Sequence, residues 1–144
     1  LVLMHEELVP PDDLAGLSGK DIERIKCEYD VTQALEELGH EVRTLGLADD
    51  LGPLRRALDR WRPHVAFNLI EEFHGAAVYD HNVVGYLELL RVPYTGCNPR
   101  GLVLARDKAL TKKILSYHRI HVPGFRQPHA MAHHGVEAAG AGRF

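Results

Sequence analysis

The chain has 144 residues, 45% hydrophobic and 26% charged, with a net charge of −3; that length predicts one domain with a core of ordinary size. No apolar run approaches the roughly 18 residues needed to span a bilayer, and an acidic balance with no aromatic residues among the basic ones argues against a nucleic-acid partner. Two cysteines seventy residues apart, Cys27 and Cys97, form neither a disulfide framework nor a metal motif, so a reducing cytoplasm is the expected location.

The first element is a strand in the apolar run LVLM. The run is too short for a signal-peptide core. A buried strand usually holds about five or six residues, so the native start is expected upstream of Leu1. His5 to Lys20 is a long loop rich in Pro, Asp and Gly, a length typical of functional segments. Asp21 is the predicted N-cap of a first helix reaching Leu38, with Ile22, Ile25, Val31, Ala34, Leu35 and Leu38 mostly at three- and four-residue steps and Gly39 as its stop. Strand 2 follows over Glu41 to Leu47. Helix 2 spans Leu51 to Trp61, ended by Pro63. Val65 to Ile70, VAFNLI, has the continuous apolarity of a buried central strand. A loop from Glu71 to Tyr79 leads to helix 3 (Asp80 to Leu90), and strand 4 is the short Val92-Pro93-Tyr94. The rest to Arg119 is helical, broken near Asp107, which caps the second piece.

Strands alternating with helices predict an α/β fold: a Rossmann-like open, mostly parallel sheet of about four strands with helices on both faces. The domain is expected over 1–126. From Gln127 onward the residues are small and polar without apolar periodicity, so 127–144 is expected to be a disordered or non-native tail, the mark of a truncated or frame-shifted polypeptide. His129, His133 and His134 fall there, without a scaffold for a metal.

Charge is uneven along the chain. Residues 1–72 carry 16 acids against 8 Lys and Arg, and residues 73–144 carry 4 against 9. The basic half, with Lys108, Lys112 and Lys113, suits an anionic ligand. In open α/β sheets, ligands sit at the carboxyl ends of the strands. Those ends carry His5-Glu6-Glu7, then Glu71-Glu72-Phe73-His74, then Thr95-Gly96-Cys97-Asn98. Carboxylate pairs beside a histidine suit a divalent metal or a substrate amine. A strand that feeds through a glycine turn into a basic helix suits phosphate. Cys97 has no identifiable base beside it and reads as a structural thiol.

Five short elements carry a resemblance: His74-Gly75, Gly85 with Leu87-Glu88, Pro93-Tyr94-Thr95-Gly96, Asp107-Lys108 and Lys112. In this order and spacing they resemble the end of the N-terminal, pre-ATP-grasp domain of the D-alanine–D-alanine ligases and related ATP-grasp ligases. The resemblance implies a carboxylate–amine ligase that uses ATP and Mg²⁺, with most ligands for both in later domains, so that this chain is inactive alone. It implies His74 at the site of the amino-acid or carboxylate substrate, Glu6 or Glu7 holding the substrate's amino group, and Lys108 reaching the nucleotide phosphates. No catalytic residue and no metal ligand of the chain itself is implied, no membrane partner is expected, and a homodimer is the assembly it allows. The chain departs from the family in two loops. MHEELVPPDDLAG replaces a Gly-Gly-x-Ser-x-Glu loop, and Val78-Tyr79-Asp80 replaces Gly-Glu-Asp. The alternative is a stand-alone Rossmann- or flavodoxin-like module binding a small molecule or a metal, and another is a metal-assisted hydrolase using His5, Glu6, Glu72 and His74. A receiver-type module is disfavoured, since Asn68 and Glu71-Glu72 stand where its aspartate belongs.

Overall fold

The computed structural model describes residues 1–124 and divides them into two compact units, Leu1–Arg106 and a second that begins at Asp107. The boundary falls inside the span expected as one domain. The tail expected over 127–144, with its histidines, lies outside the described residues. The first unit runs β1 (Val2–His5), α1 (Gly19–Glu37), β2 (Thr44–Leu47), α2 (Gly52–Trp61), β3 (Phe67–Asn68), α3 (Asp80–Leu89) and α4 (Pro99–Arg106); the second holds α5 (Lys108–Tyr117).

The sheet is parallel with strand order β2-β1-β3, and Leu3 pairs with Leu45 on one side and Asn68 on the other. Connections between parallel strands are right-handed, which places α1 on one face and α2 and α3 on the other. The core agrees with that placement. Leu1, Leu3, Leu47, Ala66 and Ile70 cluster with Leu54 and Leu58 of α2 and with Val83 and Leu87 of α3. Val2 and Met4, one residue out of phase along β1, are buried as well and belong to the opposite face. Each fully buried leucine contributes about 1.5–3 kcal/mol relative to exposure.

Strand 4 is corrected. Val92–Tyr94 forms a single parallel bridge, Ala66 to Tyr94, rather than a strand. Ala66 N–H donates to Pro93 O at 2.8 Å and Thr95 N–H to Ala66 O at 3.0 Å. Pro93 has no N–H to extend the ladder, and its neighbour β3 is itself only two residues long. The backbone beside β3 still bonds inward, Phe67 N–H to Leu1 O and Leu69 N–H to Leu3 O, so the centre of the sheet is held even where strand geometry lapses.

The start of α1 is also corrected. Ser18 is the N-cap, not Asp21: its hydroxyl accepts the Asp21 N–H, and the Asp21 carboxylate accepts the Ser18 N–H. This capping box satisfies two donors that the first turn leaves unpaired, worth about 1 kcal/mol. Asp21, third in the helix, takes the acidic position that the helix dipole favours. At the other end Gly39 adopts a φ of 83°, the left-handed residue that lets the chain leave the helix. The expected break at Asp107 is present, with its carboxylate accepting the Leu110 N–H at 2.8 Å as cap of α5.

Candidate functional site

The carboxyl end of the sheet gathers the loops after β1, β2 and β3. Directly after β1, the chain turns into a 3-10 segment, Glu6–Leu8, capped by the His5 side chain, whose Nδ1 accepts the Glu7 N–H at 3.3 Å. The turn lies against β2 because residue 46 has no side chain. A Cβ there would come within 2.7 Å of the Glu6 Cα and 2.8 Å of the Val9 methyl. Glu7 is engaged by Arg24 of α1 in an exposed ion pair. His5 Nε2 lies 3.6 Å from Glu72 Oε1, which ties the loop after β1 to the loop after β3. Since its Nδ1 already accepts a hydrogen bond, His5 presents Nε2–H to that carboxylate.

His74 sits at the tip of a two-residue reverse turn. Phe73 and Ala76 exchange both backbone hydrogen bonds, at 3.2 and 3.1 Å, and the two residues between them, His74 and Gly75, have φ of 54° and 68°. Positive φ at both central positions is the type I′ geometry, which favours Asn-Gly or Asp-Gly because a side chain at the first position is strained. A histidine kept in that conformation is the kind of local cost that accumulates at functional positions. Its backbone N–H donates to Ala48 O at 2.6 Å, so the tip is docked just past the end of β2. Glu6, Glu7 and His74 therefore share the carboxyl rim of one sheet. Glu7 is occupied by Arg24, and His74 is fixed through its backbone, leaving an exposed imidazole.

The residues of the PYTG segment run beside β3, where Tyr94 bridges Ala66. Tyr94 Oη donates to Glu88 Oε1 at 2.7 Å, and Thr95 Oγ1 accepts the Asn68 N–H at 3.0 Å. Gly96 turns the chain at a φ of 95°, which a side chain would strain. Gly85 differs, since a methyl there would make only ordinary contact with Pro99 at 3.8 Å. The bond to Glu88, followed by burial and the nearby carboxylate charge, pushes the Tyr94 phenol up to about 12 from 10. Because the folded value is raised, this pairing adds stability below pH 10 and loses it as pH rises from 10 towards 12. Ultraviolet titration of the tyrosines is expected to show one phenol ionising near 12, and Glu88→Ala should return it towards 10.

Sequence reasoning missed Asp80 and Arg106. The Asp80 side chain is only 5% exposed and receives the Arg106 guanidinium: Nε lies 3.1 and 3.2 Å from its two oxygens and Nη2 2.5 Å from Oδ2. The same Nη2 donates to Glu71 O at 2.9 Å. One guanidinium thus joins the end of α4, the start of α3 and the loop that leads to His74. The two residues are 26 apart, and no local pattern announces such a pair.

Lys108 is the exposed first residue of α5, in the second unit. Among the described residues no three His, Cys, Asp or Glu side chains come together as a metal site. No helix among them is long and apolar enough to cross a membrane.

The sequence has similar counterparts among curated proteins. The chain is 37% identical over 112 residues to a D-alanine–D-alanine ligase of Syntrophotalea carbinolica, covering 78% of this chain and 35% of that protein. It is 34% identical over 112 residues to the ligase of Moorella thermoacetica, with 78% and 34% covered, and 36% identical over 110 residues to that of Aquifex aeolicus, with 74% and 36% covered. The chain is a relative of the D-alanine–D-alanine ligases and matches their N-terminal domain. It spans about a third of the length of these curated relatives. No protein-family model matches it, and no solved structure does. In this ligase-like domain His74-Gly75 forms a strained turn, Gly85 and Glu88 lie on α3, and Tyr94 of PYTG bridges Ala66.

Proposed function

We propose that this domain forms the substrate-side wall of an ATP-dependent carboxylate–amine ligase of the ATP-grasp kind. The observation that carries the reading is His74, presented by a two-residue turn whose amide is docked at the end of β2. Such a turn fixes a polar group at the rim with little conformational freedom left to lose on binding. In this reading the imidazole contacts an amino-acid substrate. Glu6 or Glu7 neutralises the substrate's ammonium, with Glu6 better placed because Arg24 already holds Glu7.

Lys108 supplies a point charge to the nucleotide phosphates, a role that suits a compact ammonium. ATP would transfer its terminal phosphoryl group to the carboxylate with release of ADP, Mg²⁺ would neutralise the nucleotide's phosphates, and the substrate amine would then displace inorganic phosphate to form the amide. Among the residues described here, Lys108 is the one assigned to the nucleotide; the acidic Mg²⁺ ligands belong, in the family, to later domains. These 144 residues alone are therefore expected to be inactive, and the cytoplasm, where ATP and amino acids are at hand, is the proposed location. The departure of MHEELVPPDDLAG from the family loop falls beside the proposed amine contact, so the substrate is left as an amino acid rather than D-alanine in particular.

A chimera tests the reading. Residues 1–124 replace the matching N-terminal domain of the Moorella thermoacetica ligase, and ADP release is followed with a panel of amino acids. Amino-acid-dependent ADP release is expected, and His74→Ala in the chimera should lower kcat/KM by at least about tenfold, the loss of one good contact. A chimera indifferent to His74→Ala would remove the substrate role from the rim.

A further inference from the structure

We infer that Arg106 is a positioning residue for His74, setting the turn at the substrate rim through the carbonyl of Glu71. The inference rests on the reading of His74 as a substrate contact, but its structural half stands separately. Arg106 ends α4, and Asp80 opens α3. Asp80 is 3% exposed and cannot reorient freely, so the guanidinium that grips it is held in one place. From that place Nη2 reaches Glu71 O at 2.9 Å. Glu71 stands three residues before His74, and the intervening Glu72 is tied back to His5. From Glu71 to the Phe73–Ala76 turn the chain is thus fastened at three points: the Arg106 bond, the His5–Glu72 contact and the His74 N–H bonded to Ala48 O at 2.6 Å. Of these, the Arg106 bond is the one anchored on a buried carboxylate, Asp80. His5–Glu72 is a 3.6 Å contact with a half-exposed carboxylate, which adds little by itself.

The guanidinium is suited to this task and an ammonium is not. Its planar fork serves the Asp80 carboxylate with two nitrogens while a second N–H of Nη2 remains for the carbonyl. Lysine in the same place keeps the charge opposite Asp80 but cannot hold both partners in fixed geometry. Arg106→Lys therefore separates holding the fold from holding the turn.

The test uses the full 144-residue chain, isotopically labelled, with amide exchange and the His74 ring resonances read by NMR. In Arg106→Lys, the Phe73 and Ala76 amides are expected to exchange faster by about tenfold or more, and the His74 ring signals to shift. The amides of Leu3 and Leu45 at the sheet centre should stay within about twofold, the pattern of a local opening. Arg106→Gln, which also abandons the Asp80 charge, should loosen the turn and the sheet together; if it does not fold, Arg106→Lys decides alone. Unchanged exchange at Phe73 and Ala76 in Arg106→Lys overturns the inference, and so does a uniform acceleration across turn and sheet. Addition of D-alanyl-D-alanine or single amino acids to the wild-type chain forms a separate arm. Ring shifts at His74 support the substrate contact. No shift at any concentration, with the Arg106→Lys effect present, counts against the substrate reading and leaves Arg106 as the residue that sets the turn.

Discussion

Arg106→Ala is expected to destabilise the first unit by about 2–4 kcal/mol. Removing one partner of a buried ion pair costs about 3–5 kcal/mol, because the remaining charge is stranded away from water. The Asp80 side chain is 5% exposed, but that of Arg106 is 37% exposed, so water screens part of the lost interaction and the lower range applies. The carboxylate retains one bond, from the His81 N–H at 2.6 Å, which softens the loss further. A domain of this size has about 5–15 kcal/mol in total, so the variant should show a clear fall in urea midpoint with an unchanged slope. Asp80→Asn with Arg106→Met, which removes both charges, should recover part of it. A midpoint for Arg106→Ala within experimental scatter of the wild type would mean that water reaches Asp80 freely and that the clasp at the start of α3 is a surface contact.

Lys108→Ala is expected to act on ATP and hardly at all on folding. In a ligase that carries this segment, loss of a charge-assisted contact to phosphate should reduce kcat/KM for ATP by roughly ten- to a hundredfold, about 1.5–3 kcal/mol. The effect on stability should stay within about 0.5 kcal/mol, as for other exposed positions. The location of the residue sharpens the contrast. Lys108 is the first residue of α5, directly after the Asp107 cap, at the end where the helix dipole is positive and a cation is disfavoured. Helix stability therefore gives no reason for a lysine there, whereas a phosphate drawn to a helix start does. Steady-state kinetics in ATP for Lys108→Ala beside Lys113→Ala make the comparison. Near-wild-type constants for both would make Lys108 part of a solvated face.

The order of elements was legible because each is specified by residues close together in the chain. The stop of α1 at Gly39 with φ of 83° and the Asp107 cap are both decided within a turn or two; the expected apolar face of α1 is only partly buried, with Ile25 inside and Leu38 74% exposed. The resemblance was legible for a related reason, since PYTG and the residues around it lie on adjoining segments whose spacing is fixed by one helix and one bridge. Where local reading failed, two local signals had competed. Ser18 and Asp21 are both good caps, and the box they form uses Ser18 as cap and Asp21 as its partner. Strand 4 shrank to a bridge because Pro93 lacks a donor, a fact the sequence contained and apolarity outweighed.

The sequence by itself therefore determined the α/β order, the parallel sheet and the kinship with the ligases. The tertiary structure decided what depends on the path of the chain. It docked the His74 turn against Ala48, made Gly46 the seat of the turn that carries Glu6, and brought Arg106 onto Asp80 and Glu71. Those partners are 26 to 40 residues apart in sequence, and nothing in the neighbourhood of either member encodes the other. Their contact is fixed only once the sheet and its helices have packed, when a buried carboxylate or a vacant Cβ position selects what can lie against it.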